Sequence, residues 1–177
     1  PHIWFDKFIA EEDIKNPTYK WPFISDNTFV DEIIKNLNSW EKSKFIFWIS
    51  MQNHFSYENK YKKEEISVNL KNNFSPKVND ILTNYGQWIK DADKSLRKLL
   101  DYLKTRKKHT VVLFFWDHLP NLWDNNIWYT ETKYINESQE KKWNINNLEN
   151  MYSPDFLIWS NKWEFKNKDL FTLKDEA

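Results

Sequence analysis

The chain of 177 residues contains no cysteine, which excludes disulfides and thiolate metal sites and leaves the redox compartment open. It lacks an excess of charge, because 26 Lys and Arg balance 26 Asp and Glu. Neither a nucleic-acid groove nor an anionic membrane surface is therefore indicated. No apolar run reaches the roughly 18 residues of a membrane span. No basic leader opens the chain, and Pro1, His2, Ile3 and Trp4 read as the interior of a longer polypeptide. There is a single glycine, where average usage is about 7%. With a single glycine there is no glycine-rich phosphate-cradling loop, and no glycine-flanked nucleophile elbow surrounds Ser160 or any other hydroxyl.

The missing glycines coincide with 11 tryptophans. Several stand where a tight turn calls for glycine: Trp116 before Asp117 and His118, Trp123 before Asp124, and Trp163 after Lys162. An AT-rich genome accounts for the many Lys, Asn, Ile and Phe but not for the lost glycine. The expectation is that many of these tryptophans are glycine codons, UGA foremost, read under the wrong code.

What is present is enough chain for one domain with a core, and it spans 1–177 with no internal repeat. Residues 1–24 read as irregular, broken by Pro17 and Pro22. Ser25 and Asp26 cap a helix whose apolar positions are Phe29, Val30, Ile33, Ile34 and Leu37. Residues 44–51 read as a buried strand ending on Gln52, Asn53 and His54. The polar, tyrosine-rich stretch 55–74 reads as a long loop, with a short strand at 66–68. From Pro76 to Lys104 the apolar stripe has helical period, and a basic end follows that suits the helix dipole. Residues 111–116 are six consecutive apolar positions, the pattern of a strand buried on both faces. They end on Asp117 and His118, and Pro120 stops the strand. A third strand is expected at 156–159. Strands alternating with helices predict an α/β fold, a mostly parallel sheet with flanking helices, whose polar strand ends gather at one edge.

Asp117 and His118 are the sharpest polar signal. A carboxylate and a neutral imidazole suit a divalent cation. A turn after residue 116 would bring both to one ion; a glycine there would ease that turn, and a tryptophan crowds it. The spacing leaves a second reading open, with Asp117 capping a turn and His118 an ordinary surface residue. His54 is either a contact to an anionic or hydroxylated substrate or a hydrogen-bonded loop histidine. His2 and His109 read as structural, Arg97 and Arg106 as solvated. Asp91 and Asp93, two apart on a helix, share no face. Trp123, Trp128 and Tyr129 would serve a non-catalytic glycan-binding module if exposed.

The motifs Met51-Gln52-Asn53-His54, Asp91-Ala92-Asp93-Lys94 within 85–104, Phe114-Phe115-Trp116-Asp117-His118-Leu119-Pro120 and 156–161 occur in this order in one family. The chain resembles, from about Ile3 to Asn161, the catalytic domain of lipoteichoic acid synthase-like phosphoglycerol transferases. These belong to the sulfatase branch of the alkaline phosphatase superfamily. That family has glycine at the positions of Trp116 and Trp4. The resemblance implies a partial sulfatase-like domain in which Asp117 and His118 ligate a divalent metal, manganese first and magnesium or zinc as alternatives. It implies that His54, with Asn53 beside it, lies at the substrate's phosphate. The substrate would be a phosphatidylglycerol-like lipid and the acceptor a glycan or glycerophosphate, in cell-envelope synthesis. The whole protein would be anchored at the extracytoplasmic face of the cell membrane. A threonine nucleophile and a glutamate ligand belong to segments N-terminal to the matched region. Two protein ligands hold a metal weakly, so the isolated chain is expected to be inactive. A sulfatase or phosphatase on the same scaffold is the alternative.

Overall fold

The structure is a computed structural model, and it describes residues 5–39, 42–54, 56–120, 127–134 and 152–163. Its spine is a 29-residue helix, α2, from Pro76 to Lys104. Proline at its first turn is tolerated because the missing N–H has no helical partner there. Val78, Ile81, Trp88, Leu99 and Leu103 are its buried stripe. Helix α1, Asp26–Asn38, packs across it; Ser25 is its N-cap, accepting from the Thr28 amide at 3.2 Å. Both helices match the residues and spacing read from the sequence.

Two clusters divide the core along α2. Tyr57, Tyr61, Val78, Ile81, Trp88, Trp128 and Tyr129 gather on its N-terminal half. Val30, Ile33, Leu99, Leu103 and Val112 gather on the C-terminal half, with Ile46, Trp48, Phe114 and Trp159 against them. Burying Leu99 and Leu103 contributes about 2 kcal/mol each.

Strand β3, Val111–Phe115, pairs with the strand Phe156–Ser160, here β4, from Val111↔Ser160 to Phe115↔Phe156. Asn161 ties this sheet to the end of α2. Its Nδ2 donates to the carbonyls of Leu103, Arg106 and Lys108, and its Oδ1 accepts from the Thr110 amide. The α/β class stands, but this pair is antiparallel, where parallel neighbours were expected. Residue pattern reports burial, not strand direction.

Three local readings are corrected. The strand over 111–116 is not buried on both faces: Val112 and Phe114 turn inward, while Val111, Leu113 and Phe115 are each about half exposed. Residues 44–51 form no ladder among the described residues. They alternate as a strand does, Ile46 and Trp48 inward and Phe45, Phe47 and Ile49 exposed, yet alternation without a hydrogen-bonded neighbour makes no sheet. Residues 66–68 are likewise not a strand. Ser67 instead donates through both its amide and its hydroxyl to Gln87 on α2.

Two elements went unread. A hairpin of β1, Tyr19–Lys20, and β2, Phe23–Ile24, turns through Trp21 and Pro22. The short helix α3, Ile127–Glu131, docks on the start of α2, where Glu131 accepts from the amide and hydroxyl of Ser75. The readings for Trp4, His2 and Trp123 lie outside the described residues.

Candidate metal and substrate site

β3 delivers its last inward ring, Phe114, to an edge contact with Trp116, and the chain then turns. The turn brings the side chains of Asp117 and His118 to one side, with Oδ2 and Nε2 3.4 Å apart. Trp116 does not prevent this, and it is not among the residues held at positive φ. The His118 amide donates to Asp117 Oδ1 at 2.9 Å, which fixes the carboxylate. His118 Nδ1 lies 2.7 Å from the Leu119 carbonyl. A carbonyl only accepts, so Nδ1 carries the proton and a neutral ring leaves the Nε2 lone pair facing Asp117. Metal-bound histidines are oriented by the same donation from the second nitrogen. Two atoms about 2.1 Å from one ion stand about 3.4 Å apart at the tetrahedral angle. The donor set thus fits a divalent cation. Both side chains are largely exposed, and among the described residues no group of three or more His, Cys, Asp or Glu is placed to hold a metal.

His54 sits at the end of the 44–51 segment, in a turn anchored on three sides. Gln52, 2% exposed, accepts the Asp26 amide at 2.8 Å and so fastens the turn to the start of α1. The Ser50 hydroxyl donates to the Asp26 carboxylate, whose pKa is nevertheless raised by burial. Tyr57 donates its hydroxyl to the Asn53 carbonyl at 2.9 Å, and Lys60 Nζ donates to the His54 carbonyl at 2.6 Å. The His54 ring meets Phe23 edge-on at 5.8 Å. Asn53 keeps a buried Oδ1 without a partner among the described residues.

Tyr57 is also close enough to the second polar turn to feel the charge of Asp117. Its ring is buried between Tyr85 and Trp88. Burial raises its pKa most, and the neighbouring Tyr85 and the charge of Asp117 raise it further. Lys60 lies 3.0 Å from the centre of the Trp88 ring, with Trp21 and Tyr57 on other sides. Burial pushes its ammonium down to about 7, while the ring faces and the His54 carbonyl favour the charged form. The sequence gives Gln52 no role beyond its place in the motif and singles out neither Tyr57 nor Lys60. Two tyrosines and a lysine closely following His54 in an otherwise polar loop were the available signal.

The remaining candidates separate from this site. His109 bonds Ser160 and stacks edge-on against Trp163, a structural role. Asp91 accepts from Tyr61 and Gln87, whereas Asp93 pairs with Arg97 at the surface. Trp128 is 8% and Tyr129 2% exposed, which corrects their reading as sugar-stacking rings, since a buried ring offers no face to a glycan. Lys20, Gln52, Asp91 and Lys94 line a cavity of about 400 Å³ beside the start of α1. Among the described residues no helix is long and apolar enough to cross a membrane.

A family model described as Sulfatase matches residues 3–170, and the chain belongs to that family. It is 32% identical over 160 residues to a putative cyclic beta-1,2-glucan modification protein of Rhizobium meliloti, covering 89% of this chain and 24% of that protein. Among solved structures it is similar to the Streptococcus pyogenes phosphoglycerol transferase GacH in complex with sn-glycerol-1-phosphate. That likeness has a TM-score of 0.61 and 30% identity over 86% of this chain and 35% of the other. The chain therefore spans about a quarter to a third of these relatives.

Proposed function

We propose that the chain carries part of the metal and substrate site of a phosphoglycerol transferase or phosphodiesterase. Its substrate would be a glycerophospholipid head group, and its product would serve cell-envelope polymers or glycans. The observation that carries this reading is the convergence of Asp117 and His118 to 3.4 Å with the His118 proton held on Nδ1. Asp117 Oδ2 and His118 Nε2 would hold a divalent metal, manganese first. Such an ion supplies charge stabilisation for the transferring phosphoryl group and activation of a nucleophile. Asn53 and His54 would bind the phosphate, and similarity to a protein that binds sn-glycerol-1-phosphate supports that assignment. The whole protein would act at the extracytoplasmic membrane face.

The reading is tested by titrating the magnesium-loaded chain with sn-glycerol-1-phosphate and following side-chain resonances. Shifts at His54 and Asn53 are expected. Equal or larger shifts with a sulfate monoester would favour a sulfatase instead, and no shift at either residue would contradict the site.

A further inference from the structure

Two peptide planes flank any residue, and fixing both fixes its φ and ψ. At His54 both planes are gripped by side chains from the following loop. The plane before it is held at both ends: the Asn53 carbonyl accepts from Tyr57 at 2.9 Å, and the His54 amide donates to the Met51 carbonyl at 3.0 Å. The plane after it is held through the His54 carbonyl by Lys60 Nζ at 2.6 Å. Neither grip rests on exposed side chains free to wander. Tyr57 is 7% exposed and set edge-on against Tyr85 at 5.3 Å. Lys60 lies over the rings of Trp88, at 3.0 Å from its centre, and Tyr57, at 5.6 Å. The backbone of the same loop is in turn fixed to α2, because Asn84 Oδ1 accepts the amides of Lys60 and Tyr61 at 3.0 and 2.9 Å.

We propose that Tyr57 and Lys60 are positioning residues for His54, clamping the peptide planes on either side of it and so setting the direction in which its side chain leaves the backbone. This deepens the substrate-binding reading of His54 and rests on it. Neither residue touches the reacting atoms. A buried tyrosine would otherwise be space-filling, and a lysine over aromatic rings would otherwise be a packing cation. What separates the two roles is that both polar heads end on the backbone of the same residue pair, Asn53 and His54.

The test is amide hydrogen exchange in the 177-residue chain and its Tyr57→Phe, Lys60→Met and Lys60→Arg variants, with sn-glycerol-1-phosphate affinity measured in parallel. Tyr57→Phe keeps the ring and deletes one hydrogen bond, so exchange of the His54 amide should rise about fivefold, with that of Leu99 in α2 unchanged. Lys60→Met should act in the same direction, and Lys60→Arg, which restores a donor, should reverse it. Affinity for the phosphate should fall with each rise in exchange. Unchanged His54 exchange in Tyr57→Phe, or equal behaviour of the Met and Arg variants, would overturn the clamp. Faster exchange together with no phosphate binding by the unaltered chain would support the clamp and contradict the substrate reading alone.

Discussion

Asp117 and His118 are neighbours in sequence, yet their side chains meet on one side of the chain, Oδ2 to Nε2 at 3.4 Å. In a continuing strand they would point to opposite faces. The turn after β3 is what makes a carboxylate and an imidazole into a pair. Each should therefore be needed by the other. Asp117→Ala and His118→Ala are each expected to weaken manganese binding at least about tenfold, and the double variant should be little worse than either single one. Isothermal titration measures this, and additive losses would show that the two do not share an ion.

Trp21 occupies the first central position of a two-residue hairpin, with φ 48°, a conformation suited to glycine. A β-branched or bulky side chain there is strained by about 1–2 kcal/mol. Trp21→Gly should raise stability toward urea by that amount, less whatever contact its ring makes with Lys60. The shortage of glycine beside 11 tryptophans acquires a structural counterpart here, though not at Trp116. Mass spectrometry of the native protein is expected to find glycine at residue 21, and an intact tryptophan would contradict that.

The His54 loop depends on one buried amide. Asn84, 1% exposed, accepts the amides of Lys60 and Tyr61 and donates to the Asp80 carbonyl. Asn84→Ala strands two loop amides and should cost about 2–4 kcal/mol in urea unfolding. Asn84→Asp keeps the acceptor and should cost less.

Burial sets a pH profile of two parts. The Lys60 pKa falls from 10.5 to about 7 on folding, so between those values the unfolded chain binds more protons and stability rises with pH. Tyr57, Tyr61 and Tyr129 are raised above 10.0, chiefly by burial, so the folded chain holds their protons longer and stability falls as pH climbs past that value. Unfolding followed against pH should show a rise from near neutrality and a decline in strong alkali. Lys60→Met should flatten the first part only. An unchanged rise in that variant would place its source elsewhere.

Helices α1 and α2 and strand β4 were legible because a long 3.6-residue stripe, a serine cap and a compact apolar run each encode local structure directly. Residues 44–51 and 111–116 showed their apolar character, but composition cannot say whether a neighbour covers the second face. Leu113 and Phe47 are as apolar as Val112 and Trp48, and only the fold separates outward from inward. The β1–β2 hairpin was hidden because its turn carries Trp21 where glycine was the recognisable signal. At the site, Asp117, His118 and His54 stood out by residue type and by motif. Tyr57 and Lys60 did not, because their contribution is to end on backbone atoms, and a backbone acceptor leaves no mark in a side-chain sequence.

The central claim, that the turn after β3 is half of a metal site beside the His54 loop, is tested most directly by adding manganese to the isotopically labelled chain. Paramagnetic broadening should appear first at Asp117 and His118, reach Tyr57 and then the Asn53–His54 turn, and vanish in Asp117→Ala. Broadening centred instead on the surface carboxylates of α2, such as Asp93 and Asp101, and undiminished in Asp117→Ala, would contradict it.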